Sequence, residues 1–255
     1  MRLVNNINKM EILTSIDNTQ VVEFNLPDKF KKIGINISGG LDSAFLLWFL
    51  IKYLKERDRT DTEIVAITIG QNDFGKKHWN SIVSAQVIDK ILRMHDPTIN
   101  NLQIENKQSV ITTHFTYYRP SQDVSQSHEM EPKLFKLGLI DIIMAGKTAN
   151  PPPNFEDLLE GRDETRDDGK RNSNEIVYGK RYEPEDKDKK MAWYIPFTNV
   201  DKRFIRDQYI KFDLMDTLYP VTRSCEHCLQ IHQEWHGPCK HCWWCKERYW
   251  AFGKY

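Results

Sequence analysis

The chain has 255 residues, and its 36 Lys plus Arg residues balance its 36 Asp plus Glu residues, so the formal net charge is zero. This length allows one large domain or one domain with an appendage. The balanced charge gives no overall attraction to nucleic acid or to an anionic membrane, although a local patch could still bind either. No apolar run approaches the ~20 residues of a membrane helix, and the N-terminal residues lack the apolar core of a secretory signal. We therefore expect a cytoplasmic protein with no membrane partner.

Apolar runs that suit strands alternate along the chain with runs that suit helices. The predicted strands are residues 21–26, at a sheet edge, followed by 32–37, 63–70 and 139–146. The predicted helices are residues 41–57, 78–95 and 131–138, and residues 199–218 are predicted to form a helix plus a turn. Such alternation predicts an α/β fold with right-handed crossovers. Because several strands end in glycine, we expect a doubly wound, mainly parallel sheet that binds its ligand at the carboxyl ends of the strands.

Composition changes after the predicted strand 139–146. Residues 151–175 and 180–190 are charged and poor in apolar side chains, which is typical of a mobile loop or lid. We predict a flexible charged insertion over residues 151–190, within an α/β domain of residues 1–218. The remaining residues, 219–255, are predicted to form a small C-terminal zinc-binding subdomain.

The turn SGGLDS (38–43) joins a buried strand to an apolar helix. Glycines let backbone N–H groups approach a ligand closely, and the first turn of the helix adds unpaired N–H groups that favour a phosphate. Ser38 and Ser43 can donate hydroxyl hydrogen bonds to phosphate oxygens. Asp42 would repel a phosphate, so Mg²⁺ is the cation that suits it. The simpler alternative is a tight turn followed by the favoured first-turn residues of a helix.

All five cysteines lie in the last 31 residues of the chain. CKHCWWC (239–245) has the CxxCxxC spacing that lets thiolates converge on one ion, and Cys225 or Cys228 could complete a Cys₄ site. Nearby histidines could substitute, namely His227, His232, His236 and His241. Zn²⁺ is favoured for a closed structural site, whereas a [4Fe–4S] cluster bound by three of these thiolates is the alternative.

SGGLDS resembles the PP-loop of the ATP pyrophosphatase superfamily, in which the motif SGGxDS follows a buried strand and precedes a helix. The resemblance implies an adenine-nucleotide alpha-hydrolase-like fold and an ATP site that releases pyrophosphate. It implies catalytic roles for Asp42 and Ser43, with Asp42 contacting Mg²⁺. The ATP-binding residues that it implies are Ser38, Gly39, Gly40, Leu41, Asp42, Ser43, Ile69, Gly70, Gly146 and Lys147.

The tail narrows the resemblance to the 7-cyano-7-deazaguanine (preQ0) synthase family of queuosine biosynthesis. TRSC (222–225) and CKHCWWCKER (239–248) are similar to its cysteine pattern, and IPFTNVDKRFI (195–205) is similar to its P-L-x-x-x-x-K-x-x-I segment. The implied zinc ligands are Cys225, Cys239, Cys242 and Cys245, with Cys228 spare, and Lys202 is the implied third catalytic residue. The resemblance implies an ATP-dependent C–N ligase that forms a homodimer and uses ammonia to convert a carboxylate into a nitrile.

The middle of the chain departs from that family. GKTANPPP (146–153) replaces the segments that hold the deazaguanine, and GQNDFGKKH (70–78) is only faintly similar to the family's Y-G-Q-x-H, with Gln71 and His78 displaced. Other possible substrates are therefore another deazaguanine, another carboxylate, or a carboxylate carried on a macromolecule. Two further functions stay open: a PP-loop tRNA-modifying enzyme of the thiolase or lysidine synthetase type, and a zinc-knuckle binding module. Balanced charge disfavours nucleic acid as the partner of such a module.

Overall fold

The structure is a computed structural model that describes residues 10–70, 79–96, 111–117, 125–152, 175–178, 191–225 and 237–255. Its strands are β1 (Glu11–Thr14), β2 (Val21–Phe24), β3 (Lys32–Asn36), β4 (Glu63–Gly70), β5 (Ile111–Tyr117), β6 (Ile142–Ala145), β7 (Val177–Tyr178) and β8 (Ala192–Tyr194). Its helices are α1 (Leu41–Glu56), α2 (Trp79–His95), α3 (Ser125–Lys136), α4 (Lys202–Lys211) and α5 (Trp243–Phe252), and a 3₁₀ turn spans Tyr219–Val221.

Six strands form the main sheet, in the order β5-β4-β3-β6-β8-β7. All neighbouring pairs are parallel except β7 with β8. From the central strand β3 the chain moves outward through β4 and β5, then returns to the other side of β3 to form β6 and β8. The direction of winding therefore reverses between β3 and β6, which is the crevice where doubly wound sheets bind ligands. The predicted doubly wound, mainly parallel α/β fold is confirmed.

Helix α1 explains why the segment after the glycine turn is apolar on almost every side. Twelve of its sixteen residues are buried, because it lies on the sheet and contacts both α2 and α4. Phe45 illustrates this packing: its ring centroid lies 5.8 Å from that of Phe49 and 5.6 Å from that of Phe197. A smaller apolar cluster covers the opposite face of the sheet, where Leu134 of α3 packs with Ile143 and Trp193. Burial on both faces fixes the carboxyl edge of β3 rigidly.

Four strands were not predicted: β1, β5 and β7, and also β8, which lies between β6 and β7 in the main sheet. β1 pairs with β2 in a separate antiparallel hairpin, so the strand predicted at residues 21–26 exists but lies outside the main sheet. The hairpin docks on α4, where Gln208 Nε2 donates to the Thr14 carbonyl over 2.7 Å. β5 and β7 form the two edges of the main sheet. β7 falls within the predicted insertion 151–190, most of which lies outside the described residues.

The C-terminal helix α5 packs against α4. Its residues Ala251 and Phe252 are buried in the main core, and the Phe252 ring contacts the ring of Tyr209 with centroids 5.7 Å apart. The boundary at residues 218–219 stays a prediction. Within the described ranges, no helix combines the length and the apolar character that a bilayer crossing needs.

Candidate functional site

The turn Ser38–Gly39–Gly40 lies at the carboxyl end of β3, on the crevice beside β6. Gly39 has a φ of +81°, a left-handed conformation that glycine adopts without the steric cost of a Cβ. A Cβ at Gly39 would also lie 2.6 Å from Cγ1 of Val83 on α2. Both the backbone conformation and the close packing therefore require glycine at position 39. The contact with Val83 could not be deduced from the sequence of the turn alone.

The two serine hydroxyls of the turn face each other. Their Oγ atoms are 3.2 Å apart, the Ser43 hydroxyl donates to the Gly40 carbonyl over 3.2 Å, and the Ser38 N–H donates to Ser43 Oγ over 3.3 Å. Such distances are long for hydrogen bonds that involve hydroxyl groups, so these groups can exchange their present partners for phosphate oxygens at low cost. Gly40, the N-cap of α1, has no side chain to cap the first-turn N–H groups, which favours an anion at this position.

Two hydroxyls from other elements fix the entry to the turn. Thr68 Oγ1 on β4 and Ser84 Oγ on α2 both donate to the Ile37 carbonyl, each over 3.0 Å. Both side chains are buried, so these bonds are shielded from competition by water. Sequence reasoning did not identify either residue, because a single hydroxyl within an apolar segment carries no pattern of its own.

The end of β6 forms the second wall of the crevice. A Cβ at Gly146 would lie 2.5 Å from the Asp42 carbonyl carbon and oxygen and 2.6 Å from the Ser43 nitrogen. The backbone after β6 therefore touches the first turn of α1, and only glycine allows this approach. Lys147 follows it and is exposed. The structure thus brings Gly146 against Asp42 and Ser43, and its role in ATP binding stays a prediction.

A buried ion network links the turn to the last two helices. Lys202 Nζ lies 2.8 Å from Asp42 Oδ2 and 3.1 Å from Glu247 Oε2. The exposed fractions of these side chains are 8% for Lys202, 13% for Asp42 and 1% for Glu247. Asp42 Oδ1 is buried and makes no hydrogen bond within the described part of the chain. One ammonium between two carboxylates leaves a net charge of −1, and this charge together with the Oδ1 atom fits a divalent cation such as Mg²⁺.

The remaining residues implied to bind ATP differ in what they can offer. The side chain of Leu41 is buried in the core, and its carbonyl accepts a hydrogen bond from Tyr209 Oη over 3.1 Å, so only its N–H is left for a ligand. Ile69 and Gly70 end β4, next to β3 at the carboxyl edge. Gln71 and His78 lie outside the described residues.

Four cysteines converge at the start of α5. The Sγ atoms of Cys225, Cys239, Cys242 and Cys245 all lie within 4.8 Å of one another. The Cys239–Cys245 and Cys225–Cys242 pairs are 3.9 and 4.0 Å apart, close to the separation of about 3.8 Å that a tetrahedral ion with Zn–S bonds of about 2.3 Å requires. These are the four cysteines that the resemblance implied as zinc ligands. Cys228, His227, His232 and His236 lie outside the described residues.

Hydrogen bonds within this cluster favour the thiolate form of some of its cysteines, which is the form that binds a cation. Two backbone N–H groups donate to sulfur, Cys242 N to Cys239 Sγ over 3.3 Å and Cys239 N to Cys225 Sγ over 3.5 Å. A hydrogen bond from the Cys245 thiol lowers the pKa of Cys242 to about 4, whereas burial raises the pKa of Cys239. The cluster therefore holds negative charge unevenly, and a bound divalent cation would let all four thiols ionise.

The cysteine cluster is connected to the glycine turn through the backbone. Arg248, next to Glu247, donates from Nη1 to the Thr222 carbonyl over 3.1 Å and from Nε to Tyr219 Oη over 3.1 Å. Arg223, the residue after Thr222, donates its backbone N–H to the Gly39 carbonyl over 2.9 Å. Arg248 matches the family pattern noted in the sequence, but its contacts with this segment were not predicted.

No family model matches the chain, and no curated protein does either. Among solved structures, the chain is similar to NMN synthetase from Francisella tularensis, with 11% sequence identity and a TM-score of 0.42. The similarity covers 89% of this chain and 79% of the synthetase chain.

Proposed function

We propose that this chain is a PP-loop enzyme: an ATP-dependent ligase that activates a carboxylate by adenylation and replaces an oxygen with ammonia-derived nitrogen. One observation carries the proposal. SGGLDS lies at the crevice between β3 and β6, with Asp42 and Lys202 in contact over 2.8 Å at the first turn of α1. A motif that combines phosphate-binding glycines and serines with a buried, partly unpartnered carboxylate suits a nucleotide phosphate bound together with a metal ion.

Each residue of the turn has a distinct task in this reaction. The first-turn N–H groups of α1 and the hydroxyls of Ser38 and Ser43 bind the pyrophosphate portion of ATP. Asp42 would hold Mg²⁺, which would neutralise developing charge on the phosphate oxygens. The Lys202 ammonium lies beside Asp42 and offsets negative charge at the α-phosphate. Catalysis then consists mainly of positioning the reactants and stabilising charge.

The proposed reaction has two rounds, and each consumes one ATP. A carboxylate oxygen attacks the α-phosphorus of ATP, the bond to the β-phosphate breaks, and an acyl-adenylate and pyrophosphate form. Ammonia attacks the acyl carbon, loses a proton, and AMP leaves with the carboxylate oxygen, which gives an amide. The amide oxygen then attacks the α-phosphorus of a second ATP and releases a second pyrophosphate, and loss of AMP and of both amide protons leaves a nitrile.

We propose 7-carboxy-7-deazaguanine as the substrate and 7-cyano-7-deazaguanine (preQ0) as the product. Support comes from the cysteines, because the four that converge are the ones that the family pattern specifies. Further support comes from Lys202, which begins α4 beside Asp42. Zn²⁺ bound by the four cysteines would stabilise the fold of the tail. It has no chemical step of its own.

The test is to incubate the protein with ATP, Mg²⁺ and ammonia and with each member of a panel of carboxylates that includes 7-carboxy-7-deazaguanine. We expect pyrophosphate release that depends on one carboxylate, and a product whose mass matches the nitrile. Asp42→Asn is the control for a contaminating enzyme. Pyrophosphate release that depends on tRNA, together with visible absorbance from an iron–sulfur cluster, would instead favour the RNA-modifying alternative.

A further inference from the structure

Glu247 on α5 is the second carboxylate that holds the Lys202 ammonium, and it occupies an unspecified position between Cys245 and Arg248 in the cysteine pattern. We propose that Glu247 is a positioning residue that sets the place of Lys202 in the ATP site, so that the metal-binding helix α5 controls nucleotide binding. The inference rests on the proposed function, because it assigns a task to a residue that acts through Lys202.

The contacts make Glu247 a strong anchor. Its side chain is 1% exposed, and its Oε2 lies 3.1 Å from Lys202 Nζ. A carboxylate so deeply buried is stable only beside a compensating charge. Lys202 is itself fixed at the first position of α4, because the N-cap Asp201 accepts a hydrogen bond from the Arg203 N–H over 2.9 Å. The ammonium is thus held from both ends, by its backbone and by Glu247.

Because of Glu247, the positive charge of Lys202 is shared between two carboxylates. With Asp42 as its main partner, Lys202 would form a simple ion pair and neutralise the carboxylate that is proposed to hold Mg²⁺. Because Glu247 competes for the same ammonium, Asp42 keeps part of its charge for the cation. Glu247 therefore keeps Lys202 at the first turn of α1 without removing Asp42 from its own task.

The position of Glu247 is determined by its neighbours in α5. Cys245, two residues earlier, belongs to the cysteine cluster. Arg248, the next residue, is buried and bonded to Thr222 and Tyr219. A shift of α5 would move Glu247 away from Lys202 and would also disturb the segment that donates to the Gly39 carbonyl. The proposed metal site and the proposed ATP site therefore both depend on the position of α5.

The experiment is a measurement of MgATP affinity by equilibrium dialysis, without a carboxylate substrate, on the zinc-loaded full chain. The variants are Glu247→Gln, Lys202→Met and the double variant. We expect each single change to weaken MgATP binding about tenfold, and the double variant to bind no more weakly than Lys202→Met alone, because Glu247 acts through Lys202. Simple charge repulsion predicts the opposite sign, since removing a carboxylate near the phosphates would tighten binding.

The control is Glu56→Gln. Glu56 also pairs with a lysine, Lys52 at 2.6 Å, but it is exposed at the far end of α1, so MgATP affinity should not change. Zinc content should stay at one ion per chain in every variant. If Glu247→Gln fails to fold, Glu247→Asp serves instead: it keeps the charge but shortens the side chain, and unchanged affinity would overturn the proposal.

The outcomes separate this inference from the function on which it rests. Wild-type protein that does not bind MgATP overturns the proposed function and the inference with it. Wild-type binding that Lys202→Met weakens supports the function. In that case, unchanged or tighter binding by Glu247→Gln, or losses that add up in the double variant, overturn the role of Glu247 alone.

Discussion

At the scale of single residues, Asp42 has three roles: in the helix, in an ion pair and in the proposed cation site. Its backbone belongs to the first turn of α1, its Oδ2 accepts from Lys202, and its Oδ1 is left for a cation. The sequence pointed to Asp42 and Lys202 separately, to one through the SGGLDS turn and to the other through the segment before the tail. Their contact, across 160 positions of the chain, and the third member Glu247 depend on the packing of α5 against α4, which no local pattern encodes.

Asp42→Asn is expected to reduce carboxylate-dependent pyrophosphate release by roughly 10²–10³-fold, and Ser43→Ala to cause a large loss, because both remove groups directed at the phosphates or their cation. Initial rates of pyrophosphate release at saturating ATP check this. Asp89→Asn is the matched control, since Asp89 pairs with Arg93 on the exposed face of α2 and its rate should equal that of the wild type. Wild-type rates in both site variants would remove the turn from the mechanism.

Gly146→Ala tests the close approach of β6 to the turn. The new Cβ would meet backbone atoms of Asp42 and Ser43 at 2.5–2.6 Å, and backbone cannot move aside as a flexible side chain can. We expect a loss of roughly 1–3 kcal/mol in the free energy of unfolding, measured in urea, together with weaker MgATP binding.

Gly138→Ala separates crowding from backbone strain. A Cβ there meets no atom within 4 Å, although φ is +65°, so stability should fall by about 1 kcal/mol while MgATP affinity stays unchanged. Equal affinities of Gly146→Ala and the wild type would show that the crevice tolerates a side chain.

At the scale of elements, we expect the stability of α5 to depend on a metal ion bound by the four cysteines. Cys242 is its N-cap residue and Cys245 lies in its first turn, so loss of the ion would leave the start of the helix with uncompensated thiolates. Removing zinc with a chelator should lower the free energy of unfolding by several kcal/mol and should weaken MgATP binding as well. Denaturant titrations of metal-loaded and metal-free protein check the first effect. A metal-free protein that unfolds cooperatively at the same midpoint would contradict a structural role.

The contact between α1 and α2 should make stability depend on pH. His95 closes α2, its Nε2 donates to the Trp48 carbonyl over 3.0 Å, and burial lowers its pKa below the ordinary value of 6.5. The unfolded chain then binds the proton more readily than the folded one. The contribution of His95 to the free energy of unfolding is therefore fully present above about pH 6.5 and is lost as the pH falls below that value.

Urea unfolding of the wild type and of His95→Gln at pH 7.5 and pH 5.5 measures this effect. Both proteins share any loss of zinc at low pH, so the difference between them reports His95. We expect the wild type to lose more stability than the variant between the two pH values. Equal losses would show that His95 titrates alike in the folded and unfolded chains.

At the scale of the whole molecule, the three central strands β4, β3 and β6 were predictable, whereas β5, β7 and β8 were not. β3, β4 and β6 are apolar runs that end in glycine or just before it, and burial on both faces makes such runs continuous. β5, with the sequence ITTHFTY, lies at an edge and alternates too weakly to stand out. β7 has two residues and exists only through its pairing with β8.

The same division holds for the site. The glycine turn and the cysteine spacing were predictable, because each is a local pattern whose geometry follows from neighbouring residues. A ligand site at the carboxyl ends of the strands was predictable from the doubly wound fold, but its position between β3 and β6 depends on the strand order, which the structure gives. The hydroxyls on the Ile37 carbonyl and the buried ion network were not, since each joins elements that meet only after the sheet has formed.

The most direct test follows the oxygen atoms of the carboxylate. The substrate, labelled with ¹⁸O in its carboxylate group, is incubated with the protein, ATP, Mg²⁺ and ammonia, and the phosphorus products are analysed by mass spectrometry. Attack on the α-phosphorus predicts one ¹⁸O in each AMP and none in pyrophosphate. Label in inorganic phosphate with release of ADP, or AMP without label, would contradict adenylation of a carboxylate by this chain.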